Sequence, residues 1–145
     1  MSPQHPPAIE SGFAELIGYR LAAWREGYAE IVLELEPKHF NRLGAPHGGL
    51  LAALIDTACG YAGVHPGPDG EPRRALTLSL TVQYLAQAKP GATLVTIGRV
   101  VGGGRRICFA TAEVYDDTGA LIARGDGTFR FQSANKINNI VSNAP

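Results

Sequence analysis

One apolar stretch limits the folds that are open to this chain. From Gly48 onward the sequence reads GGLLAALIDTACGYAG, a run without Lys, Arg or Glu. Pro46 and the glycine pair after it are signals of a helix start, and about 16 helical residues would span roughly 24 Å. A helix that is apolar around its circumference is buried, so the other segments are expected to surround it.

The predicted helix has two unlike faces. One face is expected to pack into the core and consists of Leu50, Leu51, Leu54, Ala58 and Tyr61. The other face carries Asp56 among the small residues Gly49, Ala52, Ala53, Cys59, Gly60 and Gly63. Because a buried charge without a partner is costly, we interpret this face as a slot in which Asp56 meets a substrate. The alternative is close approach of another backbone, with Asp56 paired to an Arg or a cap.

The segments around this helix predict an antiparallel sheet. Alternation of apolar and polar residues, bounded by turn residues, indicates a short helix at 10–18 and strands at 19–25, 27–35, 76–85, 93–101, 106–116 and 121–131. Strict alternation in the third strand places Leu76, Leu78 and Leu80 on one face and Thr77 on the other. A sheet covers only one side of the helix, so a second subunit is the simplest cover for the small-residue side.

Composition narrows the class of protein. A chain of 145 residues fits one domain, which is expected at 1–131. A polar tail follows at 132–145, and the sequence is compatible with either an ordered or a disordered tail. The formal net charge of zero gives no indication of a nucleic-acid partner. No segment has the length and apolarity of a membrane span or the pattern of a signal peptide. Cys59 and Cys108 make no disulfide framework, so a cytoplasmic location is expected.

A motif in front of the helix resembles a known family. The pattern N-x-x-G-x-x-H-G-G at 41–49, followed by Asp56, is similar to that of the hotdog-fold acyl-CoA thioesterases of the phenylacetate-pathway (PaaI) type. Segments 84–91 and 119–129 strengthen the likeness, which covers about residues 30–131. The resemblance implies an α+β hotdog fold, an antiparallel sheet wrapped around one long central helix. It also implies a homodimer or a dimer of dimers with sites shared between subunits.

The resemblance also implies roles for individual residues. Asp56 matches the acidic nucleophile or general base, and Gly48 matches the residue whose N–H polarises the thioester carbonyl. Asn41 matches an assisting loop residue, and the alternative for Asn41 is a loop residue that bonds its own backbone. Thr77 matches the hydroxyl residue that holds the attacking water, with Ser79 as the second choice.

General chemistry agrees with these assignments. The free amides at a helix N-terminus form a preformed site for negative charge, and a donor aimed at a developing oxyanion contributes about 3–4 kcal/mol to acyl transfer. A carboxylate shielded from water can act as a base or attack directly. No metal-ligand cluster is found in the sequence, and no cofactor is implied.

Other residues are candidates for substrate binding. His47 and Gly49 flank the proposed donor, although a His that caps the helix is the alternative. Arg105 and Arg106, with the earlier pair at 73–74, could contact the phosphates of coenzyme A. Solvated turn charges are the alternative for all four arginines.

The predicted activity is hydrolysis of acyl-CoA to a carboxylic acid and coenzyme A, with an aryl-acetyl or medium aliphatic acyl group. Two alternatives remain. The first is a hotdog hydratase or dehydratase, because His39-Phe40 resembles the His-Phe pair of hotdog dehydratases. Against it, the Pro-Gly pattern expected after that pair is missing, and the helix carries Asp rather than Glu. A non-catalytic acyl-CoA-binding module of the same fold is the other alternative.

Overall fold

A computed structural model describes residues 11–68, 70 and 73–132. The elements are α1 (Gly12–Ile17), β1 (Arg20–Arg25), β2 (Tyr28–Glu34), a 3-10 turn (Pro37–His39), α2 (Gly48–Val64), β3 (Arg74–Tyr84), β4 (Thr93–Gly103), β5 (Ile107–Tyr115) and β6 (Leu121–Gln132). This order confirms the predicted sequence of helices and strands. Gln132 belongs to β6 and not to the tail, and the rest of the predicted tail, 133–145, lies outside the described residues.

The strands form one antiparallel sheet in the order β1-β2-β4-β5-β6-β3, and α2 packs against one face of it. The inner face of the sheet supplies a buried apolar layer that includes Ile31, Leu33, Leu94, Val114 and Ile122. The prediction of a sheet wrapped around one long central helix is confirmed. Within the described part of the chain, no helix combines the length and the apolarity needed to cross a membrane.

Two glycines let the helix lie directly on the sheet. A Cβ built on Gly98 of β4 would lie 2.3 Å from the carbonyl oxygen of Ala58, and one on Gly125 of β6 would lie 2.9 Å from Cγ2 of Ile55. Real Cβ atoms do not approach other atoms this closely. The backbone of β4 therefore touches the backbone of α2, as only glycine permits.

The faces of α2 differ in part from the prediction. The buried residues are Leu50, Leu51, Leu54, Ile55, Ala58, Cys59 and Ala62. Cys59 thus packs toward the sheet, whereas it was expected beside Asp56, and Tyr61 is only half-buried. The side left open consists of exposed Gly49 and the half-buried residues Ala52, Ala53, Asp56, Thr57 and Gly60, and is called here the uncovered face. Asp56 is therefore not fully buried within one chain.

A β-bulge in β3 overturns the predicted alternation. Thr77 pairs with Phe129 and Ser79 with Thr128, which leaves Leu78 as an extra residue. An extra residue changes the alternation, so that the side chains after the bulge face the opposite way from those of a regular strand. Thr77 therefore faces α2, whereas Leu76 and Leu78 are 54% and 56% exposed. Leu76 and Leu78 lie on the face opposite Thr77, as predicted. The expectation that Leu80 shares their face is wrong, because Leu80 lies beyond the bulge and packs against the core.

Candidate active site

The carboxylate of Asp56 meets the hydroxyl of Thr77. Thr77 Oγ1 donates to Asp56 Oδ1 at 2.6 Å, which joins the middle of α2 to the start of β3. Ser79, the second choice from the sequence, lies beyond the bulge and pairs with Thr128. The structure thus brings Thr77, and not Ser79, to the helix carboxylate.

The N-terminus of α2 keeps one amide free. His47 Nδ1 accepts from the Gly49 N–H at 2.8 Å, and the His47 carbonyl accepts from the Leu50 and Leu51 N–H groups at 2.9 and 3.3 Å. Among the hydrogen bonds of the described residues, the Gly48 N–H has no acceptor. The geometry gives His47 the capping role and leaves the amide of Gly48 available to an external oxygen.

Tyr84 is a residue of this region to which the sequence analysis assigned no role. Its hydroxyl donates to the Gly48 carbonyl at 2.8 Å, and a Cβ built on Gly48 would lie 3.2 Å from its ring. Tyr84 thereby ties the end of β3 to the first turn of α2. An aromatic residue near the end of a strand is the only local signal, since the two residues lie 36 positions apart.

Asn41 shapes the loop that leads into α2. Its Oδ1 accepts from the Leu43 N–H at 2.9 Å and from the Ala45 N–H at 3.1 Å, as in an Asx turn. These are the loop bonds that the sequence analysis named as the alternative to a substrate contact. The side-chain oxygen is engaged within the loop, so only the amide nitrogen of Asn41 is left to donate to a ligand.

A cleft of about 670 Å³ opens beside the Asp56–Thr77 pair and is called here the acyl cleft. The residues that line it include four aromatic ones, Tyr19, Trp24, Tyr61 and Phe129. Gly60 and Val64 extend the lining along α2, and Arg73 and Arg74 also line it. A carboxylate and a hydroxyl at an apolar cleft are the composition of a small-molecule site.

The sequence matches the thioesterase superfamily over residues 43–123. The chain belongs to that superfamily. Acyl-coenzyme A thioesterase 13 of Mus musculus is 31% identical over 97 residues, which are 66% of this chain and 67% of the relative. Membership makes the protein a thioester hydrolase and confirms the predicted enzyme class.

Solved structures agree on the fold. A mutant of the phenylacetic acid degradation protein PaaI from Thermus thermophilus superposes with a TM-score of 0.74 at 29% identity, covering 83% of this chain and 98% of that one. The smu.793 protein of Streptococcus mutans, solved with acetyl-CoA bound, has a TM-score of 0.72 at 22% identity, with 91% and 98% covered. The resemblance to PaaI-type proteins and the hotdog fold are thereby confirmed.

The four arginines proposed for coenzyme A binding in this thioesterase form two pairs that lie in different places. Arg105 and Arg106 are exposed in the turn between β4 and β5 and do not line the acyl cleft. Arg73 and Arg74 do line it. The structure therefore places Arg73 and Arg74, and not the pair singled out as substrate-binding, in the lining of the same cleft as Asp56.

His39 holds the thioesterase fold together rather than facing a ligand. It is 2% exposed, its Nδ1 accepts from the Glu36 N–H at 2.9 Å, and its Nε2 lies 2.7 Å from the carbonyl oxygen of Ile17. These backbone partners assign the tautomer with the proton on Nε2. With both nitrogens engaged, His39 cannot serve as the base that the dehydratase alternative requires.

The described residues of the thioesterase give little support to a Cys59 nucleophile or to a metal site. Burial, followed by the nearby Asp56 carboxylate, raises the pKa of the Cys59 thiol to about 12, so it is not a nucleophile at neutral pH. No group of three or more His, Cys, Asp or Glu side chains there could hold a metal ion.

Proposed function

We propose that the protein hydrolyses acyl-CoA thioesters to a free acid and coenzyme A. The observation that carries the proposal is the Asp56–Thr77 hydrogen bond at the acyl cleft. The name of the mouse relative and the acetyl-CoA bound to the Streptococcus mutans protein support the same substrate class.

The proposed reaction uses two groups of the chain. The Gly48 N–H donates to the thioester oxygen and stabilises the negative charge that develops there. In one route Asp56 takes a proton from water while the water oxygen attacks the carbonyl carbon, the bond from carbon to sulfur breaks, and the proton passes to the sulfur. In the other route the Asp56 oxygen attacks that carbon and displaces the sulfur, and water then hydrolyses the resulting anhydride to release the acid and restore the carboxylate. The thiol of coenzyme A leaves with a proton, and Thr77 orients the carboxylate throughout.

One chain cannot supply both groups to one substrate. Gly48 and Asp56 are eight residues apart on α2, which places them about 12 Å apart along the helix axis. Reacting atoms must come within about 3–3.5 Å of each other. We therefore propose a homodimer in which Gly48 of one subunit serves Asp56 of the other, so that two equivalent sites lie about a two-fold axis.

Two surfaces support association with a second copy. The uncovered face of α2 is lined with small residues, which allow close approach of another helix. β3 pairs only with β6 within the described residues, so its other side is a sheet edge 11 residues long. Leu76 and Leu78 are exposed there, and long apolar edges are sites of strand pairing between chains.

Complementation tests the shared site. Asp56→Ala is unfolded and refolded together with the double variant Asn41→Ala/Gly48→Pro, each inactive alone, and thiol release from acyl-CoA is measured. Each heterodimer should regain about half of a wild-type dimer's activity, because one of its two sites combines the intact carboxylate with the intact donor. Subunit exchange without recovered activity, or a fully active monomer in sedimentation, would contradict the proposal.

Thr77 offers a matched pair of variants. Thr77→Val removes the hydroxyl at nearly constant shape, and turnover is expected to fall about tenfold to a hundredfold, the value of a hydrogen bond to a charged group. Thr77→Ser retains the hydroxyl and should keep most of the activity. Steady-state thiol release distinguishes the two, and equal losses in both variants would argue against a role for the hydroxyl.

The alternative of a non-catalytic binding module makes a different prediction. Such a module would bind acyl-CoA without releasing its thiol. A panel of acyl-CoA thioesters, assayed for both binding and free thiol, separates the two functions and also identifies the acyl group.

A further inference from the structure

A second cavity lies beyond the end of the acyl cleft. It has a volume of about 360 Å³ and is called here the distal cavity. Its lining includes Gly27, Gly63, His65, Val100, Cys108 and Phe131. The acyl cleft follows α2 from Asp56 to Val64, and the distal cavity is reached at the end of that helix, where both cavities share Pro66 and Arg73.

Trp24 and His65 stand between the two cavities. Trp24 lines the acyl cleft but not the distal cavity, whereas His65 lines the distal cavity but not the acyl cleft. Their rings pack edge to face with centroids 4.9 Å apart. This aromatic pair therefore joins the wall of the acyl cleft to the wall of the distal cavity.

The indole of Trp24 is fixed in this position. Its Nε1 donates to the Tyr61 carbonyl at 2.8 Å, and its ring packs edge to face on the Tyr61 ring at 5.7 Å. With one hydrogen bond and two aromatic contacts, the indole has a fixed position in the wall of the cleft.

We propose that Trp24 sets the maximum length of the acyl group, an inference that rests on the proposed hydrolysis of acyl-CoA. The acyl group enters beside Asp56, runs along α2 past Gly60 and stops at the indole. Tyr61, whose carbonyl holds the indole, lies five positions after Asp56, a rise of about 7.5 Å along the helix. Medium-length aliphatic or single-ring acyl groups fit this length, and longer chains would need the distal cavity that Trp24 closes.

Fluorescence tests the length limit without catalysis, because Trp24 is the one tryptophan in the sequence. The wild-type protein is titrated with S-alkyl-CoA thioethers of increasing chain length, which cannot be hydrolysed. Affinity should rise about fourfold per methylene buried until the length at which Trp emission first shifts, and should then stop rising. Affinity that continues to rise past that length, or emission that no chain alters, would overturn the proposal.

Substitution tests the role of Trp24 itself. In Trp24→Leu the two cavities should join, and the ratio of kcat/KM for chains beyond the limit to kcat/KM for shorter chains should rise at least tenfold. Trp24→Phe keeps an aromatic wall and should keep most of the limit. Tyr28→Leu is the matched control, because Tyr28 is an aromatic residue of β2 that packs under Arg25 and lines neither cavity.

The outcomes separate the two proposals. Thiol release by Trp24→Leu with an unchanged chain-length profile would overturn the role of Trp24 and leave the proposed function intact. No thiol release by the wild-type protein from any acyl-CoA would overturn the proposed function, and the thioether titration would still decide the length limit.

Discussion

Asp56→Asn is expected to lower the turnover of acyl-CoA by a factor of about 10² to 10⁴, the range for loss of a general base. The amide keeps the size of the side chain but can neither accept a proton from water nor attack the thioester. Turnover is measured as thiol release at saturating substrate. A variant that kept more than about a tenth of wild-type turnover would be incompatible with an essential carboxylate.

The fold should tolerate this change. Asp56 is half-buried within one chain, and the Asn oxygen can still accept from the Thr77 hydroxyl. The free energy of unfolding is therefore expected to change by less than about 1 kcal/mol, which thermal unfolding will report. Asp126→Asn is the matched control, since Asp126 is an exposed carboxylate of β6 outside the acyl cleft.

Gly48→Pro is expected to lower kcat by about 10² to 10³, as loss of one oxyanion donor does. Proline removes the N–H and, like alanine, adds a Cβ that would lie 3.2 Å from the ring of Tyr84. Gly48 is the first residue of α2, a position that favours proline, and His47 has φ −60° and ψ 133°, an extended conformation that can precede proline.

Gly48→Ala separates donor loss from steric effects. Alanine keeps the N–H and adds a Cβ at 3.2 Å from the ring of Tyr84, a side chain that is 55% exposed and can shift. Its kcat should therefore remain well above that of Gly48→Pro. We would determine kcat and KM for both variants with the melting temperature as the control for folding, and equal kcat values would exclude the amide as the donor.

Periodicity predicted much of the fold. The strands and the central helix are long and strongly patterned, so their order and approximate bounds follow from the sequence. The arc of α2 that touches the sheet is wider than a helical-wheel projection suggests. Gly98 and Gly125 bring the sheet so close that Ile55 and Cys59 are buried against it.

The position of Thr77 could not be predicted from alternation. A regular strand would turn Thr77 away from α2, and the bulge at Leu78 leaves no mark in the sequence. Only the family resemblance pointed to this residue. The geometry then agreed because the bulge shifts the register between Thr77 and Ser79.

Contacts between residues far apart in the sequence could not be predicted either. Tyr84 meets Gly48 across 36 positions, and Trp24 meets Tyr61 across 37. Neither pair has a local pattern, because each depends on how the sheet curves around α2. The contact that argues against the dehydratase alternative is also distant in the sequence, since His39 meets the Ile17 carbonyl across 22 positions.

The contact between Gly98 and the Ala58 carbonyl limits how this protein can vary. Any other side chain at position 98 would push α2 away from the sheet, since its Cβ would lie 2.3 Å from that oxygen. The displacement would carry Asp56, two residues earlier on the same helix, away from Thr77. Position 98 should thus be intolerant of substitution in a selection for activity, although its glycine lies outside the lining of the acyl cleft.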